Sequence, residues 1–259
     1  MFIPDARDSD PRMQFRQSLH ALFDLLVRPD AFFERDGAWS LGRAFGVVLA
    51  VSAVTTAAVA AMGWLFTSNI DATVTVTTME PWSDATCESF AEMNSTPEPC
   101  TIDEPQTKQV SVGAKVWSAF VGRLPFVFVA SLLGWVLVAA ALHAATWLLG
   151  GEGSFAGTLT VAGWAVVPTI VQAAFALVGF TLLVRGTAFS NDPEVLVQQL
   201  RTLSSSTGNA WAAVGGLVAG VWQAYIWTHG LAHARSLRVS DAAVAAGIVA
   251  VVTIALSLV

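Results

Sequence analysis

Charged residues are scarce in this chain. Of its 259 residues, 12% are Asp, Glu, Lys or Arg and 54% are hydrophobic, whereas soluble domains carry about 25% charged residues. The apolar residues also fall in long blocks and do not alternate with polar ones. A single soluble core could not bury so much apolar surface, so the composition predicts an integral membrane protein.

Basic residues are fewer than acidic ones, and lysine is nearly absent. The chain has 13 Lys and Arg against 19 Asp and Glu, a net charge of −6, and its only lysines are Lys108 and Lys115. This balance argues against nucleic acid as a partner. A cleavable signal peptide is also missing, because the first forty residues are charged and lack a compact apolar core.

Long apolar runs are what the chain does have. A bilayer-crossing helix needs about 20 apolar residues, and five runs meet or approach that length: 44–66, 120–149, 155–184, 210–228 and 242–259. We therefore predict an all-α, polytopic transmembrane helical bundle of about five spans. The second and third runs form a hairpin, since Gly150, Gly151 and Gly153 permit a tight reversal and Ser154 suits a helix N-cap.

The chain divides into an N-terminal segment, 1–40, and a membrane domain, 41–259, with an outer loop at 68–114. From Met13, apolar residues recur at helical spacing and predict an amphipathic helix that ends at Arg28-Pro29. Two placements stay open for its apolar face. It packs on the rest of the protein, or it lies in the membrane interface with Arg12, Arg16 and Arg28 near the lipid headgroups.

The arginines predict the orientation. The N-terminal segment and the start of the first span carry Arg7, Arg12, Arg16, Arg28, Arg35 and Arg43. Because basic residues concentrate on the cytoplasmic side, we expect a cell-membrane protein with its N-terminus in the cytoplasm and its C-terminus outside. The 150–154 turn and the loop with Arg235 and Arg238 then face the cytoplasm as well.

The outer loop holds both cysteines. Cys87 and Cys100 suit a disulfide, which persists outside the reducing cytosol; the alternative is a pair of free thiols. Asn94 begins a glycosylation sequon between them. Threonine and valine alternate over 73–77, which is typical of a strand.

Polar residues inside apolar spans are functional candidates by default. His143 suits a hydrogen bond to a neighbouring helix, Gln172 and Gln223 suit pairing across helices, and Pro168 predicts a kink. His229 and His233 have i, i+4 spacing, so they form either half a metal site or a structural pair at the interface. Gly230 stands where a zinc-protease motif needs glutamate. We expect no catalytic residue, no metal and no cofactor.

These residues together resemble the Ypt-interacting-protein (YIP) domain family. The matching features are the run 26–33, His143 with 150–155, Thr158, Gly163-Trp164, Pro168, Trp227, Gly230-Leu231, Leu237 and 240–243. The resemblance implies a five-span membrane protein with a cytoplasmic N-terminal segment. It implies no assigned chemistry for any named residue.

Three functional hypotheses follow. The first is a non-enzymatic role in membrane organisation or as a scaffold, whose partners are the bilayer, other membrane proteins or a second copy. The second is a small transporter or permease-like subunit with a path lined by His143, Pro168, Gln172 and Gln223, against which the lack of an inverted repeat counts. An intramembrane enzyme ranks last, because the spans contain no carboxylate.

Overall fold

The structure is a computed structural model that describes residues 20–190, 192–204 and 208–257. Helices dominate it, which confirms the all-α prediction apart from one two-stranded sheet. The helices are α1 (20–27 as described), α2 (Pro29–Phe33), α3 (Leu41–Thr67), α4 (Asp84–Glu92), α5 (Val112–Val121), α6 (Leu124–Leu148), α7 (Phe155–Trp164), α8 (Thr169–Arg185), α9 (Pro193–Ser204), α10 (Gly208–Ala234) and α11 (Val239–Ser257). The strands are β1 (Thr73–Met79) and β2 (Gln106–Ser111), and two 3₁₀ turns cover Asp36–Trp39 and Glu98–Cys100.

Four segments of the described chain are long and apolar enough to cross a membrane. They are Leu41–Thr67, Val112–Leu148, Phe155–Arg185 and Val239–Leu256. The predicted span at 210–228 lies within α10, which has 27 residues, about 40 Å of helix, but is not among the four. Tryptophans, Gln223 and Tyr225 make α10 less apolar than the others. The described residues thus contain four candidate spans and one further helix of spanning length.

The described residues form two compact units, and the first holds 20–61, 124–180 and 208–257. In this unit α11 packs along α10 and against α6, and α7 packs against both α6 and α10. α3 meets α6 through a hydrogen bond between the hydroxyls of Ser52 and Ser131, 2.9 Å apart. The N-terminal segment joins the same core, since Leu25, Phe32 and Phe33 are buried in it.

Tryptophan indoles connect the N-terminal segment to the helices of this unit. Trp164 of α7 donates its Nε1–H to the carbonyl of Ala38 at 2.8 Å, and Trp222 of α10 donates to the carbonyl of Leu26 at 2.8 Å. Each bond satisfies a backbone acceptor that lies outside a regular ladder or at a helix end. α1 and the 3₁₀ turn are therefore held from two different helices.

The third predicted span is two helices. α7 ends at Trp164, four residues form a turn, and α8 begins directly after Pro168. Proline has no N–H to donate and its ring crowds the preceding turn, which explains why the helix is interrupted here. Ser154 caps α7 as predicted, with its hydroxyl accepting the N–H of Gly157 at 3.2 Å.

The second unit holds 62–123 and, as described, 181–190 and 192–204. β1 and β2 pair antiparallel, and β1 contains the predicted strand at 73–77. Between them the structure contains the disulfide Cys87–Cys100, with Cα atoms 5.6 Å apart. Asn94 is exposed in the turn after α4. The side chain of Asp192 caps α9 by accepting the N–H of Glu194 at 2.8 Å, as its sequence position predicts.

Two boundaries differ from the sequence prediction. The second span does not begin at Phe120, because α5 ends at Val121 and α6 begins at Leu124, with Gly122 and Arg123 between them. The predicted amphipathic helix is present at 20–27, while its start at 13–19, with Arg16, lies outside the described residues. Arg7 and Arg12 lie outside them too, as do the last two residues of the fifth predicted span.

Candidate functional site

The N-terminal segment, the 150–154 turn, α7 and the end of α10 meet in the first unit. We call this region the junction. It consists of α2, residues 150–154, α7, the part of α10 from Trp227 to Ala234, and Arg235, which directly follows α10. It contains most of the residues that carry the family resemblance. The junction is therefore the region to examine for function.

Arg235 is the central side chain of the junction. It is 2% exposed, and its Nη2 donates to the carbonyl of Gly151 at 2.7 Å. Its Nη1 donates to the carbonyl of Gly153, and its Nε donates to the hydroxyl of Thr146 at 3.2 Å. In return, the carbonyl of Arg235 accepts the N–H of Glu152 at 2.9 Å. One residue thus holds both ends of the glycine turn.

The charge of Arg235 is balanced by dipoles. Among the described residues no ion pair involves Arg235, and its acceptors are two carbonyls and a hydroxyl. The ends of α6 and α10 both lie here, and the carbonyl end of a helix dipole favours a cation. Burial lowers the pKa of the Arg235 guanidinium, but arginine starts so high that it stays charged.

The glycines of the turn are required by its geometry. Gly150 and Gly153 have φ values of +79° and +124°, which L side chains rarely adopt. A Cβ on Gly153 would also collide with the carbonyl of Ala234. Gly151 donates to the carbonyl of Thr146 at 2.8 Å, and a Cβ there would meet the same oxygen. The turn therefore accepts no larger residue at 151 or 153 without moving α6 or α10.

His143 lies between α6 and α7. Its Nδ1 is 3.1 Å from the hydroxyl of buried Thr158, and its ring packs edge-on against Phe155 at 5.4 Å. This is the helix-to-helix hydrogen bond that the sequence suggests. It pairs two residues of the family resemblance and leaves His143 in a structural position.

The predicted histidine pair meets a carboxylate from the N-terminal segment. Nε2 of His233 is 2.9 Å from Oδ1 of Asp30, and Nδ1 of His229 is 3.7 Å from the same oxygen. The hydrogen bond from His233, then the charges of both histidines, hold the pKa of Asp30 below its ordinary value of 3.8, while burial opposes the shift. The pair therefore anchors α2 to α10.

Close packing completes this anchor. Phe33 is 1% exposed, and its ring lies against the backbone of Gly230, where a Cβ would come within 2.9 Å of it. Phe32 packs edge-on against Trp164 at 5.1 Å. The Gly230 that excludes a zinc-protease motif thus provides the space into which the N-terminal segment docks.

The remaining candidates inside the spans lie apart from one another. Gln223 donates to the hydroxyl of Thr169 at 2.9 Å. It therefore bonds α8 one helical turn before Gln172, the residue with which the sequence predicts it to pair. The α-carbon of Gln172 lies against α10 at Gly215. Pro168 is buried at the break between α7 and α8. The structure does not gather these residues with His143 into one polar cluster.

The histidine pair could also be half of a metal site. No group of three or more His, Cys, Asp or Glu side chains in the part of the chain that the structure describes is arranged to hold a metal ion. His233 and Asp30 satisfy each other directly, which favours the structural interpretation of the histidine pair over half a metal site.

The model of the Yip1 domain matches residues 23–259 of this chain. The chain belongs to the Yip1 domain family. The match begins in α1 and includes the junction together with every candidate span, so the family's defining region is nearly the whole chain. No curated protein and no solved structure matches it. This Yip1 protein is therefore understood from its own residues.

Sequence reasoning misses the role of Arg235. From the sequence it contributes only to the charge bias of an inner loop, although a basic residue at a helix end suits the dipole. Its acceptors lie 82 to 89 residues earlier in the chain. Two of these acceptors are backbone carbonyls of a glycine turn, and the third is the hydroxyl of Thr146. Nothing in the sequence around them indicates which donor they bind.

Replacing Arg235 should destabilise the protein strongly. Arg235→Met keeps the length of the side chain but leaves two carbonyls and Thr146 without their donor, at about 1–3 kcal/mol for each buried group. Arg238→Met is the matched control, because Arg238 is 84% exposed and its ion pair in the described chain is with Asp241, three residues away. We expect a clear fall in the thermal midpoint in detergent for the first and almost none for the second. Equal midpoints for both variants would contradict the assigned role.

Acid should release the anchor between α2 and α10. Because the folded pKa of Asp30 is depressed, its contribution is present above 3.8 and is lost as the pH falls through the lower folded value. Asp30→Asn should therefore lower the thermal midpoint at pH 6, by a small amount because the carboxylate is 56% exposed. The difference from the wild type should vanish as the pH falls through the folded pKa of Asp30. Asp36→Asn, an exposed site with no ion pair in the described chain, is the control. A difference that persists at low pH would contradict this assignment.

Proposed function

We propose that this Yip1 domain protein is a non-enzymatic membrane component that organises the membrane or holds partner proteins. It is a membrane protein of the YIP family, and the proposal concerns what it does there. The observation that carries it is the docking of the N-terminal segment onto the membrane helices through the junction. Such docking presents α1 as a fixed surface.

The surface of α1 supports a binding role. Phe23 is 58% exposed and Val27 is also exposed, although both are large and apolar. They are four residues apart, so they lie on one side of the helix. The other side is held, since Leu25 is buried and the carbonyl of Leu26 accepts from Trp222. An apolar stripe on an anchored helix suits contact with lipid or with another membrane protein.

The polar side chains in the junction and on the adjoining helix α6 support a structural role. Arg235, His143 and His233 each have a hydrogen-bond partner within the protein. A catalytic group has to reach a substrate atom, and a transport path has to be lined by groups that exchange their partners. Side chains already committed to helix packing favour a scaffold over either activity.

The junction also bears on orientation. It brings the N-terminal segment, the 150–154 turn and Arg235 to one end of the helices. These are the three regions that the positive-inside rule assigns to the cytoplasm. Their meeting supports the proposed arrangement in the cell membrane, with the N-terminus cytoplasmic, the acidic disulfide loop outside and the C-terminus outside.

The partner-holding role predicts position-specific crosslinking. A photoreactive phenylalanine analogue at Phe23 should give discrete protein adducts in intact membranes, with a second copy or another membrane protein identified by mass. The same analogue at Phe33 is the control, because that ring is buried and has no access to partners. Adducts at neither position would remove the partner-holding role.

A transport activity would contradict the proposal. Purified protein in liposomes should give no solute flux above protein-free vesicles, measured by light scattering for small neutral solutes and by a trapped dye for protons. Flux that falls in both His143→Ala and Gln223→Ala would instead favour the small transporter or permease-like subunit.

The proposed topology predicts the labelling of the cysteines. A membrane-impermeant thiol reagent should label Cys87 and Cys100 on intact cells only after reduction, because the disulfide occupies both thiols and the loop faces outward. The double variant with serine at both positions controls for background. Labelling that needs lysis would place this loop in the cytoplasm and reverse the arrangement.

A further inference from the structure

A small cavity lies in the first unit beside the start of α3. Its volume is about 160 Å³, far above the roughly 10–15 Å³ that one water needs. Phe32 and Trp164 form an apolar wall, and Arg35 and Arg43 supply two positive charges. No carboxylate lines it in the portion of the chain that is described. The cavity thus offers guanidinium groups beside an apolar wall.

Arg43 has no anion of its own in the described structure. It takes part in none of the ion pairs there. It also lies in the first turn of α3, where the positive end of the helix dipole repels a cation. Its Nη1 lies 3.2 Å from the place where a side chain on Gly37 would begin, so the missing Cβ leaves room for it. Helix stability therefore does not account for an arginine at this position.

Arg35 is held in place by an ion pair and retains N–H donors for a ligand. Its Nη2 bonds Oδ2 of Asp24 at 2.5 Å, which ties it to α1. A guanidinium has five N–H donors, so further donors remain for a ligand. Planar arginine forks match the oxygens of a phosphate group. Two arginines on different elements, one of them pre-oriented, make a two-sided clamp.

The position of the cavity selects the source of the phosphate. Arg43 lies in the first turn of a candidate membrane span, and Phe45 and Leu41 beside it are exposed and apolar. Apolar surface of this kind contacts acyl chains, and the basic groups at its edge lie where lipid phosphates lie. We propose that this cavity binds the phosphate of an anionic phospholipid headgroup. The proposal rests on membrane residence and is independent of the scaffold role.

Lipid binding by the full-length protein tests the site. Detergent-purified chain is titrated with phosphatidylglycerol or phosphatidylcholine, and bound lipid is counted by native mass spectrometry. We expect preference for phosphatidylglycerol and about tenfold weaker binding for Arg43→Gln, the loss of about one charge-assisted contact. Arg43→Lys, which keeps the charge but not the fork, should be intermediate. An unchanged thermal midpoint for Arg43→Gln would show that the fold is intact.

The control is Arg123→Gln. Arg123 is an exposed arginine within another candidate span, in the turn between α5 and α6, so it measures general attraction of basic residues to anionic lipid. An equal loss in Arg43→Gln and Arg123→Gln, or no loss in Arg43→Gln, would overturn the proposal. Inorganic phosphate forms the soluble arm. Binding of phosphate that depends on Arg43, without retention of phosphatidylglycerol, would assign the cavity to a soluble ligand and overturn the lipid assignment.

Discussion

A buried guanidinium and a turn with unpaired carbonyls satisfy each other in this protein, and the arrangement of the helices depends on that exchange. The 150–154 turn has to bend too tightly for its carbonyls to bond within a helix. Arg235 has to shed its water to lie between α6 and α10. Each is costly alone, and together they close a junction that fixes where α6 ends and α7 begins. The same contact sets the end of α10, to which α2 is anchored through His233.

The N-terminal segment is part of the membrane domain in physical terms. Its carbonyls at Leu26 and Ala38 accept from tryptophans of α10 and α7, and Phe33 fills the space beside Gly230. A boundary at residue 40 therefore separates soluble from membrane composition but not one folding unit from another.

Local signals carried the sequence prediction well. Apolar length predicted five spans, and the described structure has four candidate spans that correspond to them. Glycine spacing predicted the hairpin, and the capping roles of Ser154 and Asp192 follow from neighbouring residues. Contacts between distant residues were beyond it. Asp30 and His233 are 203 residues apart, and nothing in the sequence around either residue indicates the other as its partner. α10 lies at the edge of what hydropathy identifies, because its tryptophans, Gln223 and Tyr225 lower its mean hydropathy, and Trp222 and Gln223 are used for hydrogen bonds to other segments.

The order of synthesis gives the junction a timing. The α6–α7 hairpin leaves the ribosome long before Arg235, so its turn carbonyls have no protein donor while α8, α9 and α10 are being made. Asp30 is synthesised earlier still, so it lacks its partner His233 for longer. Until the end of α10 has been synthesised, the turn carbonyls lack the hydrogen bonds from Arg235. Water or a chaperone then has to occupy those positions. The contacts that hold the turn and α2 can therefore form only after the end of α10 has been synthesised.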